Sequence, residues 1–243
     1  MVLLGLLGLV VSGCPTREDY HPPDLVYHYK DFPVGKSPTA IRVGDFNGDG
    51  FADLITSNIQ GNSLSLLLGN GDGSFQDQKV MSACQEPRNI AVDDFDLDHN
   101  MDLVVACSGD NHALVFLGQG NGTFLRGTQY LVHRTPVSIS TGDFNEDFLP
   151  DMVVALRNGK FRLGPLYEYG DTPTSIDTID LNGDKHLDLA VTNGGPMSNA
   201  VSIWLGLGDG TFLSPVDYKT GKRPLGVSFS DFNNDRQVDL LVI

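Results

Sequence analysis

The chain has little of what most catalytic and transition-metal centres are built from. Three Cys and six His in 243 residues fall at no zinc-like spacing. There is no Gly-x-Ser-x-Gly elbow, no phosphate-cradling Gly-x-x-x-x-Gly-Lys loop and no Cys–His pairing, so the sequence reads as a non-enzyme. Positive charge is also scarce. Lys and Arg number 16 against 31 Asp and Glu, a net charge of -15, and a chain of that sign with no basic patch is not expected to bind nucleic acid. No long stretch carries helical periodicity, and the longest apolar run, Met1 to Ser12, is too short to cross a bilayer.

What the chain does have is glycine (28), proline (13) and many short runs rich in Val, Ile, Leu and Thr, a composition that points to an all-β protein. Its acids are not scattered. The pattern Asp-x-Asn/Asp-x-Asp-x-x-x-Asp occurs as DFNGDGFAD from Asp45, DFDLDHNMD from Asp94, DFNEDFLPD from Asp143, DLNGDKHLD from Asp180 and DFNNDRQVD from Asp231. Sixteen of the 31 acids are Asp at positions 1, 3, 5 and 9 of these nonamers. Carboxylates gathered that closely repel one another unless a hard cation, which takes many oxygen ligands at roughly 2.3–2.6 Å, sits among them. Five divalent ions would bring the charge of -15 to about -5. The plainer alternative is an Asx-turn hairpin without metal, which accounts for one Asp per turn more readily than for four.

Successive nonamers start 49, 49, 37 and 51 residues apart, a period expected of propeller blades. Each repeat reads as a strand into the acidic loop (AIRVG, residues 40–44), a strand out of it (DLITS, 53–57), a third strand (LSLLL, 64–68), a glycine turn (GNGDGSF) and a fourth strand near 76–82. The later copies include ALVFLGQGNGTF and VSIWLGLGDGTF, with Gly supplying the positive φ of tight hairpins. The short interval of 37 lacks the glycine turn and carries RNGKFRLGPLYEY instead, which predicts a trimmed or irregular third strand. The fifth repeat has only its first two strands, and VYHYKDFPVG (26–35) reads as a fourth strand without a blade before it. The expected fold is therefore a β-propeller of about four full four-stranded blades plus a partial one, an incomplete propeller over residues 24–243.

VGDFNGDGFADL with LLLGNGDGSF, and their copies, resemble the FG-GAP (VCBS) repeat family, which includes the headpiece propeller of integrin α subunits. The resemblance implies calcium held by side chains at positions 1, 3, 5 and 9 and the carbonyl at position 7. Carried onto this chain, the sets are Asp45, Asn47, Asp49, Phe51 and Asp53; Asp94, Asp96, Asp98, Asn100 and Asp102; Asp143, Asn145, Asp147, Leu149 and Asp151; Asp180, Asn182, Asp184, His186 and Asp188; and Asp231, Asn233, Asp235, Gln237 and Asp239. The sets are unequal. Only the first has Gly at position 6 (Gly50), where the others place His99, Phe148, Lys185 and Arg236. The second has four carboxylates, and the third, with Phe148, Leu149 and Pro150, is the least ligand-like.

Met1 to Ser12, ending in VSGC at Val11 to Cys14, resembles a bacterial lipoprotein signal with Cys14 as the lipidated residue. That implies a signal peptide over 1–13, a linker over 14–23, and a secreted or cell-envelope protein whose only membrane contact is a lipid anchor. Cys84 and Cys107 then remain as a possible disulfide, or as two buried thiols. His99 and His186 are expected to face solvent, Trp204, Phe124, Phe212 and Tyr218 to pack between blades, and Tyr167 and Tyr169 to be the better candidates for ligand contact. Together these readings predict a calcium-stabilised scaffold for an unidentified protein or glycan. The alternative is a non-catalytic propeller belonging to a larger secreted carbohydrate- or lipid-acting enzyme.

Overall fold

The computed structural model describes residues 30–243 except 133, 158–159, 163–165, 169–171, 196–197 and 234. The signal-like segment 1–13, Cys14, the linker 14–23 and Tyr169 lie outside the described residues. Eighteen strands form four four-stranded antiparallel sheets and one two-stranded sheet, each a blade in sequence order. Blade one contains β1 (Pro38–Gly44), β2 (Asp53–Asn58), β3 (Ser63–Leu67) and β4 (Lys79–Ser82). Blade two contains β5 (Pro87–Asp93), β6 (Asp102–Cys107), β7 (His112–Gly118) and β8 (Phe124–Leu131). Blade three is β9 (Pro136–Gly142), β10 (Asp151–Leu156), β11 (Lys160–Arg162) and β12 (Leu166–Glu168). Blade four is β13 (Pro173–Ile179), β14 (Asp188–Asn193), β15 (Ala200–Trp204) and β16 (Val216–Lys219); β17 (Val227–Ser230) and β18 (Asp239–Val242) make the fifth.

The first strands of neighbouring blades pack on one another, β1 on β5, β5 on β9, β9 on β13 and β13 on β17, which places them innermost in the propeller. In blade two the second and third strands are covered on one face by blade one and on the other by blade three. This explains why they read as unbroken apolar runs such as LVVA rather than as alternating patterns. Fourth strands such as β4 and β8 lie outermost and largely exposed. The core is correspondingly a series of inter-blade clusters. Ile55, Leu64 and Leu66 meet Ile90, Leu103 and Leu114 between blades one and two; Val104 and Val115 meet Ile139 and Val154 between two and three. Between blades three and four, Trp204 packs with Phe144, Val153 and Ile176, as the sequence predicts, with Phe212 against the same cluster. Phe124 and Tyr218 also pack at blade interfaces. Each fully buried Leu or Ile contributes about 1.5–3 kcal/mol, so stability is spread along the series.

Cys84, just before β5, is disulfide-bonded to Cys107 at the end of β6, with Cα atoms 5.8 Å apart. The strand expected over 26–35 is not found among residues 30–35. Pro33 has no N–H to give to a ladder, and the N–H of Gly35 instead donates to Ser65 Oγ (3.2 Å), laying the segment against blade one. Phe32 then packs edge-on against Phe75 of the first glycine turn, centroids 5.0 Å apart.

Candidate metal centre

All five nonamers join the first and second strands of a blade, so all lie at the same end of those strands. Their backbone geometry repeats closely. In every loop the position-6 N–H donates to Oδ2 of the position-1 Asp: Gly50 to Asp45 (2.9 Å), His99 to Asp94 (2.9 Å), Phe148 to Asp143 (2.8 Å), Lys185 to Asp180 (2.9 Å) and Arg236 to Asp231 (2.8 Å). In every loop the position-7 N–H donates to the position-5 Asp, as Phe51 does to Asp49 (2.9 Å), Asn100 to Asp98 (2.8 Å), Leu149 to Asp147 (2.9 Å), His186 to Asp184 (2.9 Å) and Gln237 to Asp235 (2.8 Å). These are the Asx-type turns that four-residue spacing of Asp permits, and each carboxylate oxygen keeps a second lone pair for another partner.

The position-9 Asp does something different. In all five loops its Oδ2 accepts the N–H of position 2: Phe46 to Asp53 (2.9 Å), Phe95 to Asp102 (2.8 Å), Phe144 to Asp151 (3.3 Å), Leu181 to Asp188 (2.9 Å) and Phe232 to Asp239 (2.9 Å). In blades one, two and four its Oδ1 also accepts the N–H of the first glycine of the turn, Gly69 (2.8 Å), Gly118 (2.7 Å) or Gly206 (2.8 Å). Asp53, Asp102 and Asp188 are wholly buried. A Cβ on Gly69, Gly118 or Gly206 would run into the carbonyl oxygen of Ala52, Met101 or Leu187, so only glycine can approach this closely. This clamp was not recognised from the sequence. The signal for it was there, since each such glycine follows its Asp by 16, 16 or 18 residues.

Burial raises the carboxyl pKa of Asp102, Asp151 and Asp188 above the usual carboxylate value, against the pull of their backbone N–H partners. Neighbouring loop acids push the same way, Asp96 and Asp98 on Asp102 and Asp180 and Asp184 on Asp188. Outside, hydrogen bonds hold Asp98 and Asp184 below it, from Asn100 and His186 respectively. Loops two and four therefore combine a buried carboxylate that resists ionisation with an exposed one that favours it, and a divalent cation would relieve the former.

In loop two the structure brings carboxylate oxygens of Asp94, Asp96 and Asp102 within 4.8 Å of one another. Asp98 is not part of that group; its carboxylate takes the N–H and side-chain amide of Asn100, at 2.8 Å each. The other loops carry Asn at position 3. In loops one, three and four the Asn amide donates to the position-5 Asp, Asn47 to Asp49 (2.8 Å), Asn145 to Asp147 (3.1 Å) and Asn182 to Asp184 (2.8 Å). In loop five Asn233 lies 3.4 Å from Asp239 instead. An all-oxygen donor set of several carboxylates fits a hard divalent cation such as calcium, with Asp94, Asp96 and Asp102 the residues placed to hold it in loop two.

Position 6 has positive φ in every loop (Gly50 83°, His99 69°, Phe148 66°, Lys185 76°, Arg236 69°). The turn the sequence assigned to Gly50 is thus made by ordinary residues elsewhere, at a steric cost. Position 4 turns the same way, at Gly48, Leu97, Glu146 and Gly183, which the sequence reading missed. Loop three turns Phe148 into solvent, 88% exposed. His99 is exposed as expected, but His186 is not turned simply to solvent: its Nδ1 lies 2.5 Å from Glu146 Oε1 of loop three.

The FG-GAP-like repeat family matches residues 45–105, 94–154 and 180–242. The chain belongs to this family. The matched stretches cover all five acidic loops, and the uncovered interval corresponds to the irregular half of blade three and the first strand of blade four. No curated protein matches the FG-GAP-like chain at a significant level. Solved structures share its fold at low identity. A BBS1N structure in complex with ARL6DN is 15% identical with a TM-score of 0.60, covering 89% of this chain and 64% of that one. Hydrazine synthase of Kuenenia stuttgartiensis is 13% identical with a TM-score of 0.57, covering 86% of this chain and 56% of that one. The V. cholerae biofilm matrix protein Bap1 is 20% identical with a TM-score of 0.51, covering 86% and 35%. The chain thus spans less than two thirds of the length of each of these structures, and the likeness is one of fold.

Proposed function

We propose that this FG-GAP-like propeller is a calcium-stabilised extracellular scaffold that binds a protein or glycan partner and is not itself an enzyme. The observation that carries the reading is the convergence of Asp94, Asp96 and Asp102 in a loop whose backbone frame recurs in all five blades. Cations there hold the first hairpin of each blade, so that the remaining loops face a partner as a rigid surface. A biofilm matrix protein among the structures of like fold, and a disulfide of the kind that persists in oxidising compartments, support an extracellular or cell-envelope setting. The lipid anchor at Cys14 belongs to the same proposal. A second reading, a non-catalytic propeller within a larger secreted enzyme, is favoured by the likeness to hydrazine synthase, whose chain is much longer than this one.

Metal analysis of the purified protein and melting with calcium or chelator test the cation. Bound calcium raises the melting temperature by mass action, about 2.7 kcal/mol per site at a hundredfold excess over its dissociation constant. Asp96→Ala, at an exposed ligand, removes affinity from loop two and leaves the fold intact. A melt that chelator and calcium leave unchanged overturns the reading.

A further inference from the structure

At the end of the blades opposite the acidic loops, the innermost strands enclose a cavity of about 710 Å³ with a charge contrary to that of the protein. Its lining includes Arg42, Arg88, Arg157 and Arg223 and, among the described residues, no Asp or Glu, although acids outnumber bases by 31 to 16 in the chain. The four come from four different blades and from non-equivalent places: within β1, at the second residue of β5, just after β10 and just before β17. That they meet is a product of the fold, not of the repeat.

The arginines are unequally balanced. Arg42 is tied to structure, donating to the Ile41 carbonyl (2.9 Å) and to Asn89 Oδ1 (3.2 Å), and it feels Asp177 of β13. Arg88 donates from Nε to Ser108 Oγ (2.9 Å), and its only ion pair among the described residues is a loose one with Glu86 at 3.9 Å. Arg157 and Arg223 have no ion pair among the described residues. Burial, then repulsion from Arg157, lowers the pKa of Arg88, against the pull of Glu86, so the two guanidiniums are close enough to repel each other. The oxygen of Ile243 at the rim is already taken by the N–H groups of Leu225 (2.6 Å) and Gly226 (3.1 Å). Thr39, Thr174 and Ser175 add neutral polar lining. Paired guanidiniums are suited to planar or tetrahedral oxyanions, which they grip through two hydrogen bonds each.

We propose that this cavity binds a small ligand through a carboxylate, phosphate or sulfate group, with Arg88 and Arg157 as the gripping pair and Arg223 at the rim. The volume suits a sugar acid or a comparable molecule. A long polyanion is disfavoured, because the net charge of -15 repels it everywhere outside the cavity. The site lies away from the acidic loops and stands whether or not those loops hold cations.

The test is calorimetric titration of the full chain, in chelator at low salt, with inorganic phosphate, sulfate and galacturonate in separate arms. Saturable binding of at least one is expected, weakened on the order of tenfold in Arg157→Gln and unchanged in Lys79→Gln on outer strand β4. Preference for galacturonate assigns the site to a sugar acid, and preference for the inorganic ions assigns it to a phosphate or sulfate group. Arg157 makes no side-chain bond among the described residues and is exposed, so its variant folds even where Arg88→Gln, which loses the bond to Ser108, does not. Absence of saturable binding in all three arms, or binding equally strong in Arg157→Gln, overturns the proposal.

Discussion

Blades two and three grow from nearly the same first hairpin and end differently. In blade two, buried Asp102 accepts two N–H groups, from Phe95 and from Gly118, and long strands β7 and β8 follow. In blade three, Asp151 accepts one, from Phe144 at 3.3 Å, is only half-buried, and is followed by strands of three residues each. The missing piece is the glycine turn. The same turn serves the neighbouring blade, since Gly122 of blade two donates to the Phe46 carbonyl (2.9 Å) and Gly210 of blade four to the Phe144 carbonyl (2.8 Å). Edge-on Phe pairs, Phe46 with Phe124 and Phe144 with Phe212, accompany both contacts. The sequence of blade three carries no such glycine turn, and among the described residues no equivalent bond reaches the Phe95 carbonyl of loop two, the loop richest in carboxylates. The acidic loop and the glycine turn are therefore one device, closed through the position-9 Asp and passed from blade to blade.

The largest effects test that closure. Gly118→Ala forces a Cβ against the Met101 carbonyl and should destabilise the protein by roughly 3 kcal/mol or more, about 6–12 °C in melting temperature. Asp102→Ala strands two buried N–H groups, at roughly 3–5 kcal/mol, whereas Asp151→Ala strands one in a more open place, at roughly 1 kcal/mol. Thermal melts in chelator keep cation binding out of the comparison. Equal losses from the two Asp variants would mean that the glycine clamp adds nothing and that the contrast between blades is cosmetic.

Much of this was open to inspection in the sequence. The nonamers and the intervals between them located every blade, and the short interval of 37 marked blade three, because a strand–loop–strand hairpin is a local structure written in local residues. The position-9 clamp was harder. It pairs an Asp with a glycine from a different hairpin, and nothing in Gly118 itself distinguishes a turn residue from one that must approach a carbonyl. The role of His186 depends on Glu146 in the preceding loop, forty residues away, and was read wrongly as simple exposure. The arginine cavity was illegible for the same reason in stronger form. Arg42, Arg88, Arg157 and Arg223 share no repeat position, so periodicity, which located the blades, hides them.

A smaller effect sharpens the comparison of the loops themselves. Leu97 and His99 of loop two, and Glu146 and Phe148 of loop three, hold the positive φ that Gly48 and Gly50 hold in loop one. Relieving one such residue is worth about 1 kcal/mol, offset in part by the entropy glycine adds to the unfolded chain. His99→Gly and Phe148→Gly should each raise the melting temperature in chelator by about 1–3 °C, since both side chains point to solvent and give up no packing. A loss of stability in either variant would show that the side chain at position 6 holds its loop by some contact other than the backbone turn.

The smallest expected effect concerns the contact between loops four and three. The hydrogen bond to Glu146, foremost, raises the pKa of His186 above its ordinary value. A raised histidine pKa means that the folded state holds the proton more tightly than the unfolded chain does. Its stabilisation is complete below the unfolded value of about 6.5 and is lost as pH rises through the folded one. The side chains are 33% and 53% exposed, so solvent screens the pair and the shift is small. In chelator, melting temperature should fall more between about pH 6 and pH 8 for the parent than for His186→Gln. Among the described residues loop two shows no counterpart: the acid paired with His99 is Asp94 of its own loop, at 3.7 Å. If His186→Gln leaves the pH dependence of the melt as it is in the parent, the link between loops three and four is not what that dependence reports.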